Sequence, residues 1–268
     1  AEKCGFPQRQ NLAACVWGAG KGRTLCAKME RRCTERGEAS VKKRILLGLI
    51  SVFKALYNAV YAVMKLRPMQ KKVVMISRQS NSQRPDFEQL GAEIEARDPG
   101  VRLVYLCREM GDTPLELLRY CFHLLHCAAE LSTAHVCIID GYCIPVSVLH
   151  HRKELRVVQV WHALGAIKKF GRQALSVPGG RDKELAERMG MHKHYDAVLC
   201  ASHRTAKAYE EAFGVSADKM RVTGVPRVDA ILKMNRARCR RRFFAAYPEL
   251  RFHVIYGQSE DFKVKADI

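Results

Sequence analysis

The residues best suited to chemistry in this sequence follow a β-branched run, in the segment VVQVWHALGAIKKFG at residues 157–171. The run predicts a buried strand, and Trp161 and His162 come directly after it. A histidine at the carboxyl end of a parallel strand lies where open α/β sheets bind ligands, and its imidazole accepts a proton near neutral pH. Lys168 and Lys169 follow one to two helical turns later and suit an anionic, phosphorylated substrate. The alternative is a core tryptophan beside a polar loop histidine.

The elements that must position His162 alternate between strand and helix patterns from residue 70 to residue 232. Continuous apolar strands separated by amphipathic helices predict a parallel sheet covered on both faces, in a Rossmann-like α/β domain. We expect strands at residues 71–77, 101–107, 135–140, 156–161, 196–200 and 220–224, and helices at residues 86–97, 114–131 and 203–213.

A long apolar segment, VKKRILLGLISVFKALYNAVYAVMKLR at residues 41–67, predicts one helix that Pro68 ends. The segment is long enough to span a bilayer, but Lys54 would then lie near the bilayer centre at a substantial cost. We therefore expect a membrane-associating helix in the headgroup region, an apolar cylinder with a narrow weakly polar stripe and with flanking cations on anionic lipid. Packing of the helix into the protein core is an equally good alternative. The stripe consists of Gly48, Ser51, Lys54 or Ala55, Asn58 and Ala62.

The composition indicates an acidic partner and a reducing compartment. The formal net charge is +19, which favours nucleic acid, an anionic membrane surface or a polyanionic substrate. The 11 cysteines include no CxxC pair, so neither a zinc knuckle nor a thioredoxin-type site is expected. Reduced thiols in a cytoplasmic protein explain them most simply. The sequence also contains no evident carboxylate cluster for a metal ion.

The two ends of the chain differ from its middle. Residues 1–40 are rich in Gly, Arg, Lys and Cys without a sustained period, and we expect a disordered leader there. Its WGAGKGRT stretch lacks the spacing of a Walker loop. Residues 233–268 begin as a strongly basic helix, which we interpret as a linker, and continue into the strand-like HVIYGQSEDF.

Three segments in order carry a family resemblance. WHALGAIKKFG resembles the Trp-His-Gly-Thr-Pro-Leu-Lys-Lys-Leu-Gly motif of the CDP-glycerol glycerophosphotransferase family, the polymerases and primases of teichoic acid synthesis. YDAVLCASHRTAKAYEEAFGVSADKMRVTG at residues 195–224 is similar to that family's strand, serine and helix, and GVPRVDAIL at residues 224–232 to its Gly-Tyr-Pro-Arg-Asn-Asp-x-Leu. The resemblance covers roughly residues 70–250. It departs at residues 163–166, where Ala-Leu-Gly-Ala replaces Gly-Thr-Pro.

The resemblance implies a type-B glycosyltransferase architecture of two domains, of which this chain would supply the N-terminal half. In that family the second domain holds most of the contacts to CDP-glycerol. Here the sequence departs from the family's pattern near residue 254. We therefore expect an incomplete enzyme from a truncated or frameshifted gene.

The reaction implied by the resemblance is a phosphotransfer. A hydroxyl of a lipid-linked polyol phosphate acceptor attacks the β-phosphate of CDP-glycerol, and CMP leaves. His162 is similar to the family's catalytic histidine and is the expected base. Lys168, Lys169 and Arg227 are expected to bind phosphate groups. The resemblance requires no cofactor beyond the donor substrate and leaves assistance by Mg²⁺ open.

Three further polar residues have structural explanations that we prefer. Asp140 ends the third strand on the side of the cleft, where a turn is the default and contact with the acceptor the alternative. Ser202 is expected to cap the helix that begins at residue 203. Asp229 is expected to pair with Arg227 or to cap a helix rather than to react.

The partners follow from the same argument. A teichoic acid precursor is a polyanion built on a lipid at the inner membrane face, so a basic chain with a membrane helix is expected to lie peripherally on the cytoplasmic face of the cell membrane. A non-catalytic domain that binds membrane or polyanion is the alternative. No nucleic acid is expected, because the sheet lacks the exposed aromatic residues of RNA-recognition sheets. Glycerol versus ribitol phosphate, primase versus polymerase and the oligomeric state stay open.

Overall fold

The computed structural model describes the backbone of residues 21–177 and 180–248, and side chains from residue 41 onward within these ranges. The first half of the predicted leader and the predicted start of a second domain, from residue 249, lie outside the described residues. The strands are β1 Lys72–Ser77, β2 Arg102–Cys107, β3 Val136–Ile139, β4 Arg156–Gln159, β5 Ala197–Cys200 and β6 Met220–Val222. The helices are α1 Lys21–Met64, α2 Pro85–Arg97, α3 Pro114–Leu131, α4 Ile144–Val148, α5 Lys183–Arg188, α6 His203–Phe213, α7 Pro226–Lys233 and α8 Arg236–Ala246.

Within the described residues, six parallel strands form one sheet in the order β2-β1-β3-β4-β5-β6. Every residue of the interior strand β1 is buried, including Lys72 and Ser77 at its two ends. The strand order reverses between β1 and β3, because the chain adds β2 on one side of β1 and β3 on the other. In open α/β sheets this reversal opens a crevice at the carboxyl ends of the two strands. The predicted Rossmann-like fold is confirmed, and the strand order locates its crevice.

Helices cover both faces of the sheet. On one face, Tyr57 and Tyr61 of α1 join α3, α4 and α6 in the larger core cluster, which includes Tyr209 and Phe213. On the other face, Phe87 of α2 packs over the alternate side chains of β1, and α7 packs against α2. The short helices α4, α5 and α7 were not predicted, because a helix of five to eight residues shows too little of the 3.6-residue period.

Helix α1 is longer at its start than the sequence predicts. It begins at Lys21 rather than at residue 41, and it ends at Met64 rather than at residue 67. Residues 21–40 have no apolar stripe, but they are rich in Arg and Glu, which favour helix intrinsically. The second half of the predicted leader is therefore helical backbone continuous with the apolar segment.

The polar stripe of α1 contacts the protein rather than water. The Asn58 side chain donates a hydrogen bond to the Val148 carbonyl at 2.9 Å and accepts one from the His150 amide at 2.8 Å. Lys54 Nζ donates to the Arg188 carbonyl at 2.6 Å. These polar groups satisfy carbonyls at the ends of other elements, which a sequence period does not reveal. The core-packing alternative therefore fits this side of the helix.

The opposite side of α1 is apolar and exposed, and we call it the outer apolar face. The segment Val41–Met64, with a mean hydropathy of 1.6, is the one described helical stretch whose length and composition would allow it to cross a membrane. Only 17% of that window is buried. The helix therefore packs by one side, as the core-packing alternative expects, and exposes the other, while membrane association stays a prediction. The outer apolar face consists of Val41, Ile45, Leu46, Leu49, Val52, Phe53, Leu56, Val60 and Val63.

Candidate functional site at the carboxyl edge of the sheet

The carboxyl ends of β1, β3 and β4 bring Ser77, Asp140 and His162 together at the crevice. Ser77 Oγ donates a hydrogen bond to Asp140 Oδ2 at 2.6 Å, and His162 Nδ1 lies 2.9 Å from the main-chain oxygen of Asp140. Because a carbonyl only accepts, Nδ1 carries the proton of the neutral ring, and Nε2 is its basic nitrogen. The ring is half-buried. A histidine with a fixed tautomer at this edge has the arrangement that a general base requires.

Asp140 is more than a turn residue. Its carboxylate is 1% exposed, and among the described residues its Oδ1 has no hydrogen-bond partner. Burial raises the pKa of Asp140, while the Ser77 hydrogen bond and, 3.9 Å away, Arg84 act in the opposite direction. Its side chain holds the end of β1 and its carbonyl holds the His162 ring. Perturbed carboxyl groups of this kind gather at functional sites.

Gln159 ties the loops after β3 and β4 together. Its side chain is fully buried, and its Oε1 accepts from the Trp161 amide at 2.9 Å. Its Nε2 donates to the Gly141 carbonyl and to Tyr195 Oη, both at 3.1 Å. Trp161 has φ 57°, a left-handed conformation that is unusual for a bulky residue and must be held by its surroundings. The strand therefore ends at Gln159, and Gln159 fixes the sharp turn that presents His162.

The Trp161 ring supports the histidine from the core side. It stacks on Phe170 with centroids 4.6 Å apart and meets the Phe213 ring edge-to-face at 5.2 Å. The His162 ring lies 4.1 Å from it, tilted by 39°. The interpretation of Trp161 as a core tryptophan therefore fits, and its packing restricts where the imidazole can move.

Arg227 connects the backbone of His162 to helix α2. Its guanidinium pairs with the buried carboxylate of Asp86, with Nε 3.1 Å from Oδ2, and its Nη1 donates to the His162 carbonyl. The predicted pairing of Arg227 with Asp229 is wrong, because the first turn of α2 brings Asp86 closer. Asp229 lies exposed in the first turn of α7. Binding of phosphate by Arg227 stays a prediction.

The remaining predicted residues lie around this centre. Lys168 and Lys169 are exposed on the loop between His162 and the 3-10 helix Gly171–Ala174, and their phosphate contacts stay a prediction. Ser202 is the N-cap of α6, where its Oγ accepts from the Thr205 amide at 3.2 Å, as expected. Within the described part of the chain, no three His, Cys, Asp or Glu side chains form a group that could hold a metal ion.

Sequence reasoning missed four residues of the site: Ser77, Arg84, Asp86 and Gln159. Ser77 ends a predicted strand, so the rule that parallel strands share a carboxyl edge could have found it once the strand order was known. Asp86 resembles an ordinary first-turn acid, and Gln159 resembles an exposed strand residue. Nothing in their local sequence signals burial.

Comparisons with known proteins agree with this geometry. A sequence model of the family described as CDP-Glycerol:Poly(glycerophosphate) glycerophosphotransferase matches residues 59–245. The chain is 29% identical over 205 residues to the teichoic acid ribitol-phosphate primase of Bacillus spizizenii, covering 76% of this chain and 53% of the relative. It is 28% identical over 114 residues to the teichoic acid glycerol-phosphate primase of Bacillus subtilis, covering 42% of this chain and 30% of that relative. The chain thus spans about half or less of these relatives' lengths.

Solved structures show the same fold. A variant of the wall teichoic acid polymerase TagF aligns with a TM-score of 0.50 and 13% identity, covering 77% of this chain and 53% of that one. A second TagF variant, soaked with CDPG, aligns with a TM-score of 0.50 and 12% identity, covering 77% and 55%. This likeness shows the fold, a Rossmann-like domain preceded by an apolar helix, while the two-domain type-B architecture stays a prediction. Since the family match covers more than half of the sequence, the chain belongs to the CDP-glycerol:poly(glycerophosphate) glycerophosphotransferase family.

Proposed function

We propose that the protein works in teichoic acid synthesis, by transferring glycerol phosphate or a related polyol phosphate from a CDP-activated donor to a lipid-linked acceptor. The observation that carries the proposal is the His162 ring, fixed at the switch point of the sheet with Nε2 as its basic nitrogen. Family membership supports it, because the matched relatives are described as primases and polymerases of teichoic acid. The part of the enzyme that would hold the nucleotide is expected elsewhere than in the described domain.

The chemical step assigns one role to His162. The terminal hydroxyl of the acceptor passes its proton to Nε2 while its oxygen bonds to the β-phosphorus of the donor. The bond from that phosphorus to the bridging oxygen breaks, and CMP leaves with the electron pair. The hydrogen bond from Nδ1 to the Asp140 carbonyl orients the ring and stabilises the imidazolium that forms. Lys168 and Lys169 offset the charge of the acceptor or donor phosphates.

The identity of the polyol is the finer part of the proposal. Glycerol phosphate follows from the family description, whereas the ribitol-phosphate primase matches over more of this chain than the glycerol-phosphate primase does. The same phosphotransfer serves either donor, because the reacting phosphate is identical. CDP-glycerol and CDP-ribitol therefore both belong in the assay.

A peripheral position on the cytoplasmic membrane face would bring the site to its lipid-linked acceptor. The outer apolar face of α1 supports this position, because its exposed side chains would enter the acyl boundary. The exposed cations Lys42 and Arg44 at one end and Arg67 after the other would meet anionic headgroups. Lys54 does not oppose this orientation, since its ammonium group faces α5.

A non-catalytic domain that binds membrane or polyanion is the second candidate. It is favoured by the outer apolar face of α1 together with the formal net charge of +19. This candidate predicts salt-sensitive binding to anionic vesicles without turnover of either CDP-polyol.

The test is release of CMP from CDP-glycerol and CDP-ribitol in the presence of membranes that carry the acceptor. Replacing His162 with Ala should lower turnover by about 10²–10⁴-fold. The matched control is His135→Ala, an exposed histidine just before β3, at the opposite edge of the sheet. Full turnover in the His162 variant would refute the assigned base. Vesicle binding without CMP release by the unaltered chain would favour the second candidate.

A further inference from the structure

A second cavity lies at the carboxyl end of the edge strand β2, separated from the His162 site by β1. It has a volume of about 500 Å³ and lies between the loop after β2 and one side of α3. We call it the β2 cleft. Its charged and titratable lining consists of Arg108, Glu109, Glu116, Arg119, His123 and His126.

Arg108 gives the β2 cleft an unsatisfied cation. Its side chain is half-buried, and within the described ranges its guanidinium has neither a hydrogen bond nor an ion pair. The nearby carboxylates are engaged elsewhere, because Glu116 accepts from the Thr113 amide at 3.2 Å and its hydroxyl at 2.8 Å in a capping box. Glu109 accepts from Asn81 at 3.4 Å. Glu109 and Glu116 stay charged but bond to neutral groups, so the Arg108 guanidinium keeps its donors available for an external oxyanion.

The other polar groups of the cleft suit an oxyanion. Arg119 is exposed on α3 and adds a second guanidinium, whose fork matches phosphate oxygens. Burial lowers the pKa of His123 to about 4, so at neutral pH His123 contributes hydrogen bonding rather than charge. The cleft therefore combines two guanidinium groups and a neutral polar ring with two carboxylates that bond to Asn81 and Thr113.

An exposed apolar stripe borders the cleft on α3. Leu115, Leu118, Phe122 and Leu125 recur at three- and four-residue spacing and are 40–64% exposed. On a helix this stripe lies directly beside Arg119 and His126. Helix α3 packs beside α1 on the same face of the sheet, where Tyr57 Oη donates to the Leu124 carbonyl. The stripe and the outer apolar face of α1 thus belong to one helical layer.

We propose that the β2 cleft binds the phosphodiester headgroup of an anionic membrane lipid while the α3 stripe enters the acyl boundary. A soluble phosphate compound would use the cations but not the stripe, whereas a lipid uses both. The proposal rests on the membrane position given under Proposed function and names the headgroup contact that such a position would make.

The test is co-sedimentation of the full chain with phosphatidylcholine vesicles that contain phosphatidylglycerol. Arg108→Gln should weaken binding about fivefold or more, and Phe122→Gln should weaken it as well. Arg97→Gln is the matched control, since Arg97 is exposed on α2, on the other face of the sheet, and should change binding less than twofold.

The outcomes separate this inference from the function on which it rests. Equal binding by the Arg108 and Arg97 variants would overturn the cleft, while vesicle binding by the unaltered chain would still support the membrane position. Failure of the unaltered chain to bind vesicles would overturn both. Release from the vesicles by millimolar glycerophosphoglycerol, the same headgroup without acyl chains, would overturn the lipid as the source of the phosphodiester.

Discussion

The crevice around His162 and the outer surface of α1 and α3 depart from the usual distribution of side chains in opposite ways. At the crevice, Asp140, Gln159 and Asp86 are polar and at most 2% exposed. On the helical layer, residues such as Leu56 and Phe122 are large, apolar and 64% exposed. Buried polar groups and exposed apolar patches are the informative exceptions to hydrophobic burial.

The difference separates what the fold holds in place from what it leaves open. At the crevice almost every polar atom has a protein partner, so the geometry is specified by the chain itself. On the outer layer, the described protein provides no cover for the apolar side chains. Substitutions should therefore affect stability at the crevice and membrane binding at the outer layer.

The largest effect on stability is expected from breaking the buried ion pair of Asp86 and Arg227. Arg227→Ala leaves the Asp86 carboxylate buried without its cation, and the free energy of unfolding should fall by about 3–5 kcal/mol. Urea denaturation measures the change. The control Asp229→Ala removes an exposed charge from the same helix and should cost less than about 1 kcal/mol. Equal losses would show that the ion pair does not brace the site.

A smaller loss is expected from Gln159→Leu. The substitution keeps the approximate shape but leaves the Trp161 amide and the Gly141 carbonyl without their partner, at a cost of about 2 kcal/mol. Gln70→Leu, at an exposed position, is the control. Gln159→Leu should also slow CMP release, because the turn before His162 loses its support. Unchanged stability and turnover would show that Gln159 does not support the turn before His162.

Acid should weaken the core beside the crevice through His192, whose Nδ1 lies 2.9 Å from Tyr195 Oη, the hydroxyl that Gln159 also contacts. Burial lowers the pKa of this histidine to about 3, below its ordinary value of 6.5. The unfolded chain therefore binds the proton first, and His192 contributes stability that is present above pH 6.5 and is lost as the pH falls toward 3. Between these two pH values, His192 changes the free energy of unfolding by about 1.4 kcal/mol per pH unit. In His192→Asn, whose asparagine tolerates the left-handed backbone there, the free energy of unfolding should differ less between pH 5.5 and pH 7 than in the unaltered chain. Denaturation curves at the two pH values measure this difference. An unchanged slope would contradict the assignment.

The contribution of Asp140 to stability should have the opposite pH dependence. Because burial raises its pKa, its neutral form is favoured in the fold, so its contribution is present below the ordinary pKa and is lost as the pH rises through the raised value. Asp140→Asn should therefore be tolerated at pH 7 in thermal denaturation. A marked loss of stability at pH 7 would mean that the ionised carboxylate is the stabilising form.

The smallest effect on stability is expected at the outer layer. Leu56→Gln replaces an exposed side chain of α1 and should change the free energy of unfolding by less than about 0.5 kcal/mol. The same substitution should weaken binding to anionic vesicles, because it removes apolar area from the surface that meets the acyl boundary. A large loss of stability with unchanged vesicle binding would reverse the comparison between the two regions.

Much of the scaffold could be predicted from the sequence. All six strands lie within one to two residues of their expected bounds, because each is a short apolar run bounded by polar or turn residues. Helix α3 matches residues 114–131 because Thr113 and Glu116 form a capping box around Pro114. The position of His162 at a strand's carboxyl end followed from the same pattern.

The site's supporting residues could not be predicted, because their roles depend on strand order and on contacts between distant segments. Asp86 and Arg227 are 141 residues apart in the sequence, and only the packing of α7 on α2 brings them together. The protein contacts of the polar stripe of α1 could not be predicted either, since a helical period shows which residues share a face but not what that face contacts. Local pattern gave the elements, and tertiary packing decided their polar partners.

The central claim is that His162 takes the proton of the acceptor hydroxyl. A second part of the claim is that the fold around this site does not depend on the His162 side chain. The most direct measurement is CMP release by His162→Ala together with its free energy of unfolding. We predict that turnover falls at least about 100-fold while stability changes by less than about 1 kcal/mol. Turnover equal to that of the unaltered chain would contradict the claim.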